Sequence, residues 1–147
     1  MLQIHVRQLL AKDTNQKGDS TMKILICGSR DWTNRDMIRA YVEHQKEIFA
    51  DDLVIIDGGA EGADIMASAI CTELDIPFRE YPITPMHRRF FKNSAGRVRN
   101  EEMYRRERPH RIVAFKHRDS PGTEHMISVG KEHDVEVEVY YDEEEEE

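Results

Sequence analysis

The 147-residue chain is poor in cysteine, aromatic residues and long apolar runs, and each shortage excludes something. Its two cysteines, Cys27 and Cys71, cannot build a disulfide framework, and both lie in apolar segments where a buried thiol is the ordinary outcome. No apolar run approaches the ~20 residues of a membrane-spanning helix, and the N-terminal stretch lacks the uninterrupted apolar core of a signal peptide. These absences predict a cytoplasmic protein with no membrane partner. The seven histidines show no ligand spacing, so neither a metal nor another cofactor is expected. What is present suffices for one domain: 39% of residues are hydrophobic, and a chain of this length buries roughly 68–70% of its unfolded surface.

The formal net charge of −8 is unevenly spread. Asp142 to Glu147 are all acidic, whereas Arg79 to Arg118 holds twelve Lys/Arg against four Asp/Glu. A terminal block of like charge is read as a solvated, disordered tail. The basic block is either a solvated face or a site for phosphate-bearing ligands. At the other end, residues 1–21 are mostly polar without clear periodicity and are read as a flexible extension. The domain is therefore expected over 22–141 and the tail over 142–147.

Within the domain, apolar runs alternate with helical patterns. Lys23–Cys27, Leu53–Ile56, a stretch within Ile76–Ile83, Arg111–Phe115 and Val135–Tyr140 read as strands. Between the first two, Met37, Ile38, Tyr41, Val42, Ile48 and Phe49 have helical spacing, with Thr33 and Asp36 as a candidate cap. Met66, Ala67, Ile70 and Leu74 give a second helix, Arg99–Arg108 a third, and Ser120-Pro121 opens another that runs to about His133. Thr84–Ala95 carries no readable pattern. Five alternations predict an α/β, Rossmann-like, three-layer domain with a mainly parallel five-stranded sheet in the order 3-2-1-4-5 and helices on both faces. In such a sheet, ligands bind at the carboxyl ends of the strands where the winding reverses, here between the first and fourth strands.

Three glycine-bearing loops should meet at that edge. Gly28-Ser29-Arg30-Asp31 follows the first strand: the glycine permits close backbone approach, the serine offers a hydroxyl and the arginine a forked contact to phosphate. Gly58-Gly59-Ala60-Glu61-Gly62-Ala63-Asp64 follows the second strand, where N–H groups at a helix start would favour an anion. It lacks the Gly-x-Gly-x-x-Gly spacing of a dinucleotide fingerprint, and there is no Walker A lysine. Gly122 and Thr123 follow Ser120-Pro121 at a helix start. Each of these loops is equally compatible with a plain turn or cap. A fourth element, Arg97-Val98-Arg99-Asn100, carries two arginines that share one side if the backbone is extended and would then clamp a phosphate. Phe90 and Phe91 beside Arg88, Arg89 and Lys92 are either core plugs or stacking platforms for a base. Trp32 either packs over the first loop or flanks a ligand ring.

In order and spacing, Gly28–Asp31, Gly58–Asp64, Ala95-Gly96-Arg97-Val98-Arg99-Asn100-Glu101-Glu102-Met103 and Ala114-Phe115 followed by Gly122-Thr123 resemble the YspA-like branch of the SLOG superfamily, over roughly Met22 to Tyr140. The resemblance implies a Rossmann-like fold, a nucleotide-derived ligand and a pocket lined by the glycine loops and the Arg-Asn motif, in a branch often encoded by bacteria and their phages. It also implies a possible homo-oligomer. The related Lonely-guy phosphoribohydrolases carry Pro-Gly-Gly-x-Gly-Thr-x-x-Glu, whose glutamate takes part in cleavage of an N-glycosidic bond. This chain keeps Pro121-Gly122-Thr123, but Met126 stands where that glutamate would be; Asp31, Asp64 and Glu124 are the carboxylates that remain for a hydrolysis.

The leading expectation is a binding or sensor module for a phosphate-bearing, nucleotide-like small molecule held by Gly28, Ser29, Arg30, Asp31, Gly58, Gly59, Ala60, Gly62, Asp64, Arg97, Arg99, Asn100, Gly122 and Thr123. The alternatives are a nucleotide N-glycosidase and, against the overall acidity, a single-stranded nucleic-acid binder.

Overall fold

The structure, a computed structural model, describes residues 20–142; the expectations for the extension before residue 20 and for the acidic tail from 143 fall outside it. The apolar runs form five strands, β1 (Met22–Gly28), β2 (Leu53–Asp57), β3 (Phe78–Glu80), β4 (Arg111–Lys116) and β5 (Glu136–Tyr141). The helices are α1 (Arg35–Phe49), α2 (Ala63–Leu74), α3 (Pro85–Phe91), α4 (Ala95–Glu107) and α5 (Pro121–Glu132). The sheet has the order β3-β2-β1-β4-β5, as expected, and all four pairings are parallel.

Alternation along β1 divides the core. Met22, Ile24 and Ile26 pack with Ile38, Val42 and Phe49 of α1 and Ala67, Ile70 and Cys71 of α2. Leu25 and Cys27 pack on the opposite face with Met103 and Tyr104 of α4 and Met126 and Val129 of α5. Both faces of β1 are therefore covered, and its sequence is continuously apolar for that reason. Both cysteines are buried and free.

Two local expectations are corrected, the cap of α1 and the start of α4, and the open readings of Trp32 and of Thr84–Ala95 are resolved. The cap of α1 is Asn34, not Thr33: its Oδ1 accepts from the Met37 N–H at 3.1 Å. Trp32 belongs to the core, 1% exposed, with its ring 5.6 Å from that of Phe115 and its Nε1 donating to the Asn34 carbonyl. The patternless Thr84–Ala95 segment holds the short α3, started by Pro85 and a reciprocal Thr84–His87 capping box, and α4 begins at Ala95 rather than Arg99.

Two buried charges lock the layers. Glu107, 4% exposed at the end of α4, accepts both arms of the Arg79 guanidinium at 2.8 Å and the Tyr81 hydroxyl, and Lys23 lies 3.4 Å away. Arg111, fully buried at the start of β4, donates to the Tyr41 hydroxyl and to Gln45 Oε1 from α1 and faces Glu136 of β5 at 3.6 Å.

The Arg79 and Tyr81 hydrogen bonds hold the Glu107 carboxyl down at about 2, below its ordinary 4.5. A depressed carboxylate contributes stability that is complete above the ordinary value and lost as pH falls from about 4.5 towards 2. Glu107→Gln should cost about 1–2 kcal/mol at neutral pH, because it weakens charge-assisted hydrogen bonds to a guanidinium that is itself half-exposed and remains solvated. The variant should also show a shallower loss of stability below pH 4.5, measured by urea unfolding across an acid series.

Candidate functional site

Because β1 and β4 are neighbours whose following helices lie on opposite faces, the loops after them diverge and leave a crevice at their carboxyl ends. Close backbone contact shapes it. A Cβ on Gly28 would sit 2.5 Å from both Ala63 Cβ and the Phe115 carbonyl oxygen. Gly62 has φ +85°, and a Cβ there would lie 2.3 Å from the Ser29 carbonyl oxygen. The start of α2 is thereby pressed against the first loop, and the Ala63 N–H donates to Ser29 O. Ser29 is a strap rather than a free hydroxyl: its Oγ accepts from the His117 N–H at 2.7 Å and lies 3.2 Å from the His117 carbonyl oxygen, to which it donates.

The second loop satisfies itself. Asp57 Oδ1 accepts from the Gly59 N–H at 2.7 Å, and Asp64 Oδ2 accepts from the N–H groups of Gly58 and Ala60 at 3.0 and 3.3 Å. The donors that the sequence offers to an anion are thus taken by the chain's own carboxylates. Arg99 closes the loop from α4, donating through Nη1 to the carbonyls of Gly58 at 2.5 Å and Tyr81 at 3.0 Å, and through Nε to Asn100 Oδ1. Asn100 Nδ2 in turn donates to the Gly122 carbonyl at 3.3 Å, linking α4 to the start of α5.

That start is different in kind. Ser120 precedes it without a side-chain capping bond and donates its hydroxyl to Thr123 Oγ1 instead. The first N–H groups of α5 have no acceptor one turn back, so the helix end is electropositive. A Cβ on Gly122 would meet nothing within 4 Å, so that glycine is not required by packing within the chain.

These parts enclose a cleft of about 570 Å³ lined by Gly28, Ser29, Arg30, Asp31, Ala60, Asp64, Arg99, Asn100, Gly122 and Thr123 from the expected set. Cys27, Met103, Asp119 and Met126 also line it and were not expected. Met103 lies one helical turn after Asn100, a relation already contained in the expected Arg99–Arg108 helix, so the signal for it was present in the sequence. Gly58 and Gly59 line an adjoining depression of about 220 Å³, which shares Arg30, Ala60 and Arg99 with the cleft. Gly62 acts by allowing the backbone approach described above. Arg97 does not join Arg99. The two-residue spacing that would align them in a strand turns them about 200° apart in a helix, and Arg97 lines a separate groove with Glu101, Glu124 and His125. Glu124 pairs with Lys116 at 3.2 Å, and the buried Met126 faces the cleft instead. Among the described residues, no group of three or more His, Cys, Asp or Glu side chains could hold a metal ion.

The charges are graded in depth. Burial, reinforced by neighbouring Asp64, pushes the Asp57 carboxyl up to about 8, and its Oδ2 is buried without a hydrogen-bond partner. Burial pushes Asp64 up to about 6, opposed by the Ala60 N–H and the Arg99 charge. Burial pulls Arg99 below its ordinary value, with Asp64 and Asp57 acting in the other direction. Burial also raises the Cys27 thiol far above neutrality, so it is no thiolate nucleophile. Arg30, by contrast, is exposed at the rim.

Residues 22–83 match the model of the YAcAr family, described as the YspA, cpYpsA-related SLOG family. The matched stretch contains the first two glycine loops. No curated protein matches the chain. Among solved structures, DNA processing protein A (DprA) from Streptococcus pneumoniae superposes with a TM-score of 0.64 at 14% identity, covering 81% of this chain and 50% of that one. The chain thus spans half the length of that protein and shares its fold. The C-terminal domain of a Pyrococcus furiosus hydrogenase is similar at a TM-score of 0.44 and 16% identity, over 80% of this chain and 90% of that one.

Both carboxyls are raised from an ordinary 3.8, so the unfolded chain ionises them first and the folded state loses stability as pH rises from about 4 to about 8. Asp57→Asn should flatten that decline. Melting temperatures of the two proteins measured from pH 5 to 9 should converge at the acid end and separate at the alkaline end, with the variant higher.

Proposed function

We propose that this chain, whose residues 22–83 match the model of the YspA, cpYpsA-related SLOG family, binds a nucleotide-like small molecule by its phosphate in the β1/β4 cleft. The observation that carries the reading is the convergence on one cleft of the uncapped α5 start and the guanidinium of Arg30. A helix N-terminus and a guanidinium recognise the same chemical group, a compact dianion with several acceptor oxygens. Met103 and Met126 provide an apolar wall for a base or sugar, and the cleft falls within the usual size range of small-molecule sites.

Binding is favoured over N-glycosidic hydrolysis. Met126 occupies the position of the Lonely-guy glutamate, Glu124 is turned towards Lys116, and Asp64 is engaged by two backbone N–H groups. Release of free base from a nucleotide, seen by chromatography, would reverse that preference. A second reading, contact with single-stranded nucleic acid, draws on the likeness to a DNA processing protein and on Phe90 and Phe91, which are 63% and 46% exposed beside Arg88, Arg89 and Lys92. Salt-sensitive retention of an oligonucleotide would support it.

The test is a thermal-shift series with AMP, ADP, ADP-ribose, NAD and cyclic nucleotides on wild type and Gly122→Asp. At a ligand concentration 100-fold above Kd, stabilisation is about 2.7 kcal/mol, a rise of roughly 5–10 °C for a domain this size. An acidic residue in the first turn of a helix is intrinsically favourable, and position 122 has open space, so the variant should melt no lower than wild type. Its carboxylate should occupy the anion position and abolish the ligand-induced rise. If a nucleotide stabilises both proteins equally, the α5 start is not where phosphate binds.

A further inference from the structure

The depression beside the cleft is walled by three guanidinium groups and a glycine turn. Arg30, Arg88 and Arg99 line it together with Gly58, Gly59 and one carboxylate, Glu61, in a volume of about 220 Å³. Their charges are unevenly spent. Arg99 is committed to two backbone carbonyls and Asn100, whereas Arg30 and Arg88 are exposed and neither is engaged in an ion pair or hydrogen bond with a described residue. Arg30 lies close enough to Arg99 to help lower its pKa. Two carboxylates stand near them: Asp64, held behind the loop by the Gly58 and Ala60 N–H groups, and the exposed Glu61 on the wall, which makes no ion pair with any of the three arginines, so cationic charge still outnumbers anionic there. Like charges gathered around a concave surface repel one another, and a multivalent anion relieves that repulsion. The depression is smaller than a usual ligand pocket, which suits a fragment of a ligand rather than a whole one. Arg30, Ala60 and Arg99 line both hollows, so a chain of phosphates that starts in the cleft can pass Arg30 and reach Arg88.

We infer that the depression is a second anion subsite, that Arg88 of α3 is its selective residue, and that the cleft's ligand is a nucleoside polyphosphate or pyrophosphate-linked nucleotide rather than a monophosphate. The inference rests on the reading of the cleft given above and extends it to the number of phosphates.

Calorimetric titration of the full chain with AMP, ATP and inorganic pyrophosphate, for wild type and Arg88→Ala, tests it. Arg88 is exposed on a short helix, and an unchanged melting temperature checks that the variant is folded. Wild type should bind ATP about tenfold or more tightly than AMP, the worth of one charge-assisted contact. Arg88→Ala should bring the two to similar affinities while leaving AMP unchanged, and Arg88→Lys should keep part of the preference. Should AMP and ATP bind wild type equally, or Arg88→Ala weaken both alike, the subsite is overturned while the reading of the cleft stands. If neither nucleotide binds but pyrophosphate does, and Arg88→Ala loses it, the nucleotide reading fails and the subsite survives. Absence of binding by all three probes overturns both.

Discussion

The cleft depends on a half-buried arginine whose backbone contacts lie just beyond the ends of two strands. Arg99 reaches from α4 to the carbonyls of Gly58 and Tyr81, and its neighbour Asn100 reaches on to the carbonyl of Gly122. Four backbone segments are joined by this one relay of hydrogen bonds. It ties the β2–α2 turn and the chain leaving β3, across α4, to the start of α5. Gly58 is part of the same device, because a Cβ there would come within 2.7 Å of Arg99 Nη1. A charged hydrogen-bond donor is well suited to the task, since contacts to ionised groups are stronger than neutral ones and guanidinium geometry is fixed.

This organisation separates two kinds of polar group that the sequence presents side by side. Carboxylates at Asp57 and Asp64 face inwards and consume the donors of their own loop, which makes the glycine turn a rigid structural unit. Cationic and uncapped groups at Arg30 and the α5 start are left facing the cleft. The polarity of the site therefore arises from which donors are already satisfied, and not from how many glycines or basic residues the loops contain. Cleft and core are also stabilised at opposite ends of the domain: the Glu107 and Arg111 clusters anchor α4 and β4 near the amino ends of the strands.

Sheet order and loop placement were legible because buried parallel strands leave uninterrupted apolar runs and right-handed crossovers leave few topologies. The arginine pair was not. Helix α4 buries little apolar surface besides Met103 and Tyr104, so its first turn, Ala95–Val98, has no periodic signal, and an extended backbone put Arg97 and Arg99 together. The same weakness hid α3, whose large residues Met86, Phe90 and Phe91 are exposed and thus mark no inner face. Asp57 is absent from the expected site residues because nothing local distinguishes a buried strand-end carboxyl from an exposed one; its environment is made by burial, by Asp64 across the loop and by Arg99 far along the chain. Glu107 and Arg111 are likewise buried through partners that only tertiary structure supplies.

The two margins of the sheet differ from its centre in a way that bears on assembly. β3 is three residues long and lies between Pro77 and Pro82, while β5 carries Glu136 and Glu138 along its length. Brevity, flanking imino acids and anionic side chains each discourage a further strand from docking. Lateral growth into a continuous intermolecular ribbon is therefore disfavoured along both edges of the described sheet.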